Sequence, residues 1–252
     1  MYMKKKFAVF CPLKDEFTFS PIWHKYYSKF LPKEDIYILD FKSTAPISLN
    51  CNIVQTDKNI LDAWELFAEI KKFHQTLLEQ YEYVIPTDVD EILFHPNGLD
   101  SFIKDLKTDT AKAVGYEIIH LPDKEPPYDQ TKNILAQRNY WFRSSQHYDK
   151  TLITNKPINW HIGLHGVHGT DQNAPHEDLN LLLVHLHRFD YNMCINRHLN
   201  YAEKQWSERT VANNNNWHYR TKDVTMLNNW YYTNSINSIT KIPDHLKKQI
   251  NV

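Results

Sequence analysis

The 252-residue chain contains very little glycine. There are five glycines, and three of them, Gly163, Gly166 and Gly169, fall within one short segment. Neither a G-x-G-x-x-G dinucleotide fingerprint nor a P-loop can be written anywhere in the sequence, which excludes a glycine-rich turn that cradles phosphates. If this protein binds a nucleotide, another partner must hold the phosphates, and a metal ion is one such partner.

Cysteines and long apolar runs are also scarce. The three cysteines, Cys11, Cys51 and Cys194, are scattered and odd in number, which argues against a disulfide framework and is typical of a reducing compartment. The apolar run after the basic N-terminus is short, and no stretch of about 20 apolar residues follows. The sequence predicts a cytoplasmic protein with no signal peptide and no transmembrane segment, and it leaves peripheral membrane contact open.

Charges of the two signs are balanced. The formal net charge is −1 at pH 7, so the chain offers no basic field, and no nucleic-acid partner is expected. Aromatic residues make up 13% of the chain, and a thick core would account for most of them. The length suits one large domain or two small ones.

One apolar run ends abruptly in carboxylates. Residues 83–93 read YVIPTDVDEIL, with Asp88 and Asp90 two positions apart. On an extended chain both side chains would project to the same side, where they repel each other unless a positive charge lies between them. A divalent cation that prefers oxygen ligands, Mg²⁺ or Mn²⁺, is the usual solution. The alternative is a buried strand followed by a solvated acidic turn.

Two other predicted strands end in polar residues. The apolar run at residues 7–12 leads into Lys-Asp-Glu at 14–16, and the run at residues 35–40 ends at Asp40. Predicted helices separate the strands, and this alternation indicates a mainly parallel sheet. Since the carboxyl ends of parallel strands meet at one edge, we expect the three polar clusters to converge there, where open α/β sheets bind ligands.

Histidines are concentrated late in the chain, with seven of the fourteen between residues 161 and 198. His185 and His187 are two apart on a predicted strand and so share one face. The spacing matches no compact zinc motif and no cysteine joins the histidines, so a structural zinc site is not expected. At least one functional histidine is expected in this group.

Several motifs, taken in order, resemble those of family 2-like glycosyltransferases. The likeness is good over residues 7–95, looser to about residue 190 and absent beyond. The segments that carry it are KDE at 14–16 with IWHKYY at 22–27, DFKST at 40–44, TDVDEIL at 87–93, GLH at 163–165 and LVHLHRFD at 183–190.

The resemblance implies an α/β fold of GT-A type, a single domain with a mainly parallel central mixed sheet flanked by helices. Residues 1–200 would form this domain, and residues 201–252 a C-terminal extension packed on it. The implied reaction moves a sugar from a nucleotide-diphospho-sugar to a hydroxyl acceptor, such as a glycan in polysaccharide biosynthesis, with inversion. Mn²⁺ or Mg²⁺ is the implied cofactor, and the oligomeric state stays open.

The same resemblance assigns roles at the ends of the first strands. Pro12, Lys14 and Asp40 would hold the base and ribose of the nucleotide. Asp88 would contact the ribose or the metal, and Asp90 would bind the metal.

A late histidine is implied as a further metal ligand. His185 is the first choice, with His187 and His165 behind it. The cation would bridge the two phosphates of the donor and neutralise charge on the departing nucleoside diphosphate.

The catalytic base is assigned to a carboxylate. In the family an E-D dipeptide before a helix has this role, whereas Glu177-Asp178 here precedes a strand-like run. Glu177 or Asp178 is expected to deprotonate the acceptor hydroxyl, with Glu117 in reserve, and such help is worth roughly 10²–10⁴-fold in rate.

Two other classes of protein remain open. A strand followed by D-x-D also begins haloacid-dehalogenase-type phosphatases, although those have Thr or Val where this chain has Ile92. A non-catalytic sugar- or nucleotide-binding domain would keep the fold without the chemistry. Phosphate release from an aryl phosphate would favour the first class, and donor binding without hydrolysis or transfer would favour the second.

Overall fold

A mixed β-sheet forms the centre of the protein. The structure is a computed structural model that describes residues 3–143, 148–167, 175–232 and 238–250. Within these ranges ten strands belong to one sheet, flanked by helices. The strands are β1 (Lys5–Leu13), β2 (Ile36–Asp40), β3 (Asn52–Gln55), β4 (Tyr81–Pro86), β5 (Glu91–Phe94), β6 (Thr110–Ile119), β7 (Tyr140–Arg143), β8 (Lys150–Thr154), β9 (His176–Arg188) and β10 (Ile239–Lys241).

The helices are mostly short. Among the described residues, no helix is both long enough and apolar enough to cross a membrane. Three-residue 3-10 turns occur at Lys33–Asp35, Ile162–Leu164 and Trp217–Tyr219. The α-helices are α1 (Phe19–Tyr27), α2 (Ala63–Leu78), α3 (Leu99–Asp105), α4 (Ile134–Gln137), α5 (Tyr191–Ala202), α6 (Glu208–Ala212), α7 (Val224–Tyr232) and α8 (Asp244–Ile250).

The sheet has a parallel half and a mainly antiparallel half. β3, β2, β1 and β4 are parallel neighbours in that order. β4 then pairs antiparallel with β8, and the order continues through β6, β7 and β10 with antiparallel pairing. β9 runs parallel to β6 and antiparallel to β5. The predicted α/β fold with a central mixed sheet and flanking helices is confirmed, and its parallel part is the N-terminal half.

The burial of β1 agrees with its position between β2 and β4 inside the sheet. Residues 7–13 are all buried, as expected of a parallel strand covered on both faces. Helix α1 packs against β5, and the Trp23 indole donates a 2.9 Å hydrogen bond to Thr87 Oγ1, directly before the acidic run. Tyr26 donates a hydrogen bond of 3.0 Å to the carbonyl of Leu93. These buried contacts fix the chain on both sides of Asp88 and Asp90.

The C-terminal part of the chain joins the same sheet. β10 pairs with β7, and the buried hydroxyl of Tyr231 in α7 donates to the carbonyl oxygens of His120 and Arg188, each at 2.9 Å. The division of the chain into residues 1–200 and 201–252 stays a prediction.

Candidate active site

The acidic run forms a turn between two strands. β4 ends at Pro86, β5 begins at Glu91, and the Glu91 amide donates to the Asp88 carbonyl at 3.1 Å. The expectation that Asp88 and Asp90 lie on an extended chain is therefore wrong, because the backbone reverses between them. The two carboxylates have different partners, and a protein cation is already next to each.

Asp88 belongs to a network around a buried lysine. Lys150, only 1% exposed, places its Nζ 3.0 Å from Asp88 Oδ2 and 2.6 Å from Glu91 Oε1. Burial acts to lower the pKa of Lys150, but the two carboxylates more than offset it and raise that pKa. Burial raises the pKa of Glu91 although Lys150 opposes the shift. Lys150 therefore stabilises the turn from its buried side, while the Asp88 side chain stays 43% exposed.

Asp90 is buried and faces an arginine. Arg197 Nη1 on α5 donates to Asp90 Oδ2 at 2.6 Å, and the same guanidinium donates to Glu16 Oε1 at 2.7 Å through Nη2. Burial acts to raise the pKa of Asp90, but Arg197 and His185 hold it well below its usual range. Asp90 is therefore ionised, and Arg197 ties it to the loop that follows β1.

His185 lies between two strands that each place a glutamate opposite it. In the sheet register it is opposite Glu91 on one side and Glu117 on the other. Its Nδ1 donates to Glu117 Oε2 at 2.6 Å, and Nε2 lies 3.5 Å from Asp90 Oδ1. Burial acts to lower the pKa of His185, but Glu117 and Asp90 raise it to about 10. His187 Nδ1 lies 3.7 Å from Asp90 Oδ2.

This arrangement fits a metal ion. Asp90, His185 and His187 each offer a ligand atom, and these atoms lie within 4.8 Å of one another. A metal-bound histidine usually donates its other ring N–H to a carboxylate, as His185 does to Glu117. One carboxylate and imidazole nitrogens suit Mn²⁺ better than Mg²⁺, which prefers oxygen ligands. A cation at Asp90 would displace the proton of His185 and compete with Arg197.

The predicted nucleotide-binding residues meet at the same edge of the sheet. Pro12 of β1 lies opposite Leu39 of β2, and Lys14 and Asp40 follow these positions. The Thr87 amide donates to the Phe10 carbonyl at 3.0 Å, which places the acidic turn beside β1. The three polar strand ends therefore adjoin one another.

Asp40 also has a local task. It is 3% exposed, and its carboxylate accepts hydrogen bonds from the Ser43 hydroxyl and the Gln55 amide, both at 2.6 Å. These bonds fold the loop after β2. Binding of a nucleotide by Pro12, Lys14, Asp40 or Asp88 stays a prediction.

The structure does not bring Glu177 and Asp178 to this site. Both lie near the start of β9, where Glu177 faces Lys112 at 3.3 Å and Asp178 faces His95 at 3.3 Å. The β6 residues opposite Glu177 and His185 are Lys112 and Glu117, five positions or roughly 17 Å apart. Glu117, the reserve choice, lies in the site, but both of its oxygens accept hydrogen bonds, from His185 Nδ1 and the Arg188 amide.

His165, the third histidine considered as a metal ligand, does not lie on β9 with His185 and His187. It is exposed and follows the 3-10 turn Ile162–Leu164. Gly169 of the same segment lies outside the described residues.

Sequence reasoning missed the basic residues of the site. Arg197 and Lys150 look like ordinary surface charges in the sequence, yet Lys150 is buried and Arg197 is half-buried against carboxylates. The position of Arg197 in the chain offered one clue. Asp190 accepts a hydrogen bond from the Met193 amide and so caps α5, the helix that carries Arg197 and begins directly after β9. The expectation that no cysteine joins the histidines is wrong, because Cys194 on α5 lies beside His187 and His198.

Comparisons with known proteins found only distant likeness. No family model matches the chain, and no curated protein matches it. Among solved structures it is similar to S. aureus TarS. One crystal structure of TarS 1-349 is 20% identical over 46% of this chain and 36% of that chain, with a TM-score of 0.32. The same region with UDP-GlcNAc is 19% identical over 49% and 37%, with a TM-score of 0.31.

A further crystal structure of TarS is 12% identical and covers 92% of this chain and 44% of that chain, with a TM-score of 0.37. This chain therefore spans less than half the length of each TarS chain. Scores this low carry no argument about function, so the proposals below depend on the side chains of this protein.

Proposed function

We propose that this protein is a glycosyltransferase that moves a sugar from a nucleotide-diphospho-sugar to a hydroxyl acceptor, such as a glycan, with inversion. The observation that carries the proposal is the approach of Asp90 to His185 Nε2, with His185 Nδ1 held by Glu117, at the edge where β1, β2 and β4 end. The ordered motifs that resemble family 2-like glycosyltransferases support it.

A divalent cation is the proposed cofactor. Asp90 and His185 would hold it, and Mn²⁺ fits their oxygen and nitrogen donors. When bound, the cation supplies positive charge that stabilises the departing nucleoside diphosphate. Asp88 is the more exposed carboxylate of the turn, so it is the one available to a ribose hydroxyl or to the metal.

The chain also supplies positive charge of its own. Arg197 lies 2.6 Å from Asp90, and its planar guanidinium can bind a phosphate through two parallel hydrogen bonds. A cation that binds Asp90 would free the Nη1 side of Arg197, while Glu16 keeps the Nε and Nη2 side in place. Arg197 would then face the diphosphate.

The proposed chemistry does not use Glu177 or Asp178 as the base. The β6 residues opposite Glu177 and His185 are five positions apart, roughly 17 Å, which is too far for one acceptor hydroxyl to contact both Glu177 and a cation at His185. Glu117 positions His185 instead of taking a proton from the acceptor, because its carboxylate is fully buried and already bonded. A base within hydrogen-bond reach of the acceptor is to be sought among groups near Asp88.

A thermal-shift screen with nucleotide-sugars, with and without Mn²⁺, tests the proposal. UDP-GlcNAc serves as one probe beside other uridine, guanosine and thymidine donors. A donor at about 100 times its Kd adds roughly 2.7 kcal/mol of stability. We expect a Mn²⁺-dependent shift that Asp90→Asn abolishes and that Asp100→Asn, at an exposed aspartate of α3, retains.

Sugar transfer is then measured with the donor that shifts. If Asp90→Asn transfers sugar at the parent rate, the assignment of the cation to Asp90 is wrong. Phosphate release from an aryl phosphate would favour a phosphohydrolase instead. Donor binding without hydrolysis or transfer to any acceptor would favour a binding domain.

A further inference from the structure

A second group of possible metal ligands lies beside Asp90. His187 on β9 and Cys194 and His198 on α5 each offer a ligand atom, and the three atoms lie within 4.8 Å of one another. Their exposed fractions are 5%, 2% and 0%, so the group is buried in the core. Unlike the Asp90 group, it contains a sulfur ligand.

The three residues of this group come from one short segment of the chain, residues 187–198. Cys194 and His198 are four residues apart on α5 and therefore lie on one helix face. The Asp190 cap starts α5 directly after β9, which brings that face against His187. Two ligands on one helix turn and a third on the preceding strand form a compact arrangement that needs no distant element.

Hydrogen bonds orient His198 as they orient metal ligands in proteins. Its Nδ1 lies 2.8 Å from the carbonyl oxygen of His218, which only accepts, so Nδ1 carries the proton. The lone pair is then on Nε2, which faces His187 Nε2 at 2.8 Å. A ring N–H donated to a backbone carbonyl is the usual outer contact of a zinc-bound histidine.

We propose that His187, Cys194 and His198 bind a zinc ion. One thiolate and two imidazoles are ligands that zinc prefers, at about 2.3 Å for sulfur and 2.0–2.1 Å for nitrogen. Binding releases the thiol proton of Cys194 to solvent, and both Nε2 atoms shift apart to admit the ion. The Tyr219 hydroxyl lies 3.1 Å from His187 Nδ1 and 3.4 Å from His187 Nε2.

His187 can serve only one of the two neighbouring sites. A neutral imidazole has one lone pair. If His187 Nε2 binds zinc, its proton moves to Nδ1, where the Tyr219 hydroxyl at 3.1 Å can accept a hydrogen bond and Asp90 Oδ2 lies 3.7 Å away. The zinc ion then takes the sulfur-containing ligands, and the harder cation keeps Asp90 and His185.

The zinc ion would position a residue of the proposed active site. It would join β9 to α5, and Arg197 precedes His198 in that helix. Through the His218 carbonyl, His198 also contacts the 3-10 turn Trp217–Tyr219. The inference does not rest on sugar transfer, since metal content is measured without a donor.

Zinc content of the purified chain tests the inference. The protein is produced with added zinc, dialysed against metal-free buffer and analysed by inductively coupled plasma mass spectrometry. We expect about one zinc ion per chain in the parent. Cys194→Ser should bind zinc at least ~10²-fold more weakly. The control Cys51→Ser, at a half-buried cysteine before β3, should keep its zinc.

A spectrum of the parent protein makes the test independent of how the variants fold. Cobalt(II) loaded in place of zinc should give a thiolate-to-cobalt charge-transfer band in the near ultraviolet, and Cys194→Ser should lack it. A parent chain without zinc and without this band would overturn the inference. Zinc retained in Cys194→Ser, or lost in Cys51→Ser, would assign the ion to other ligands and would overturn it equally.

Discussion

Replacing Lys150 tests how much its ion pair with Glu91 stabilises the acidic turn. Both side chains are 1% exposed, and Nζ lies 2.6 Å from Oε1. Lys150→Met keeps most of the side-chain volume but removes the positive charge. Glu91 is then left as a buried carboxylate without its cation.

The expected loss follows from burial. Removing one partner of a buried ion pair costs about 3–5 kcal/mol, because the other charge stays desolvated. The contact with Asp88 adds less, since that side chain is 43% exposed and water screens it. We therefore expect the free energy of unfolding to fall by about 3–5 kcal/mol at pH 7.

Protonation limits this loss at lower pH. Burial already raises the pKa of Glu91, and removing Lys150 removes the largest opposing contribution and leaves the smaller one of His185. A raised pKa in the folded variant means that the folded state binds the proton more tightly than the unfolded state does. The deficit of Lys150→Met is therefore largest at neutral pH and shrinks as the pH falls towards 5.

Urea unfolding followed by tryptophan fluorescence measures these values at pH 7 and pH 5. Lys112→Met is the matched control, because Lys112 pairs with Glu177 at an exposed position and should cost less than about 1 kcal/mol. The double variant Glu91→Gln with Lys150→Met leaves no unpaired buried charge, so its loss should be smaller than the sum of the single losses. A Lys150→Met loss no larger than that of Lys112→Met, or strictly additive single losses, would refute the reasoning.

Three further predictions concern other parts of the chain. Burial lowers the pKa of His74 from 6.5 to about 4, so the unfolded state binds its proton first and stability is lost as pH falls from 6.5 towards 4. Replacing His74 by Gln should remove about 2 kcal/mol of the difference in unfolding free energy between pH 7 and pH 5. Glu117→Gln should weaken Mn²⁺ binding, measured by calorimetry, about 10–100-fold, because His185 loses its carboxylate partner. Asp62→Ala should cost about 1 kcal/mol in urea unfolding, because Asp62 caps α2 by accepting from the Trp64 and Glu65 amides.

Each of these predictions has its own contradicting result. An unchanged pH dependence in His74→Gln would show that this histidine is not the buried neutral group described. Mn²⁺ affinity equal to that of the parent in Glu117→Gln would remove His185 from the metal site. For the helix cap, Asp57→Ala is the control, because Asp57 is exposed and caps no helix. Equal stability of Asp57→Ala and Asp62→Ala would contradict the capping argument.

The parallel half of the fold is visible in the sequence. β1, β2 and β4 are apolar runs that end in polar residues. The helical spacing of Leu66, Ile70, Phe73 and Leu77 predicts α2, in which Ile70 and Leu77 are buried and the other two are half-buried. These signals are local, so a single sequence carries them. The antiparallel half is different, because β9 pairs with β5 and β6, and its neighbours lie some 65–95 residues earlier in the chain. Local periodicity does not encode such partners.

The candidate site was predictable in part for the same reason. Asp88, Asp90 and His185 stand out because they follow or interrupt apolar runs. Arg197 and Lys150 do not, since the carboxylates with which they pair lie 107 and 59 residues away in sequence. The D-x-D spacing also misled, because alternation along a strand applies only to extended backbone, and the structure has a turn there.

The free-energy cost of burying charge helps to distinguish a functional site from an ion pair that only stabilises the fold. Apolar residues of similar volume often replace a buried ion pair without loss, or with a gain of about 1–4 kcal/mol, so the pair of Asp90 with Arg197 gives weak evidence for a role in stability. This pair lies with Glu16, His185 and Glu117 at the edge where the parallel strands end. Open α/β sheets bind ligands at that edge. The proposed ligand, a diphosphate with its cation, brings charges of its own and would explain why this position holds ionised groups instead of an apolar core.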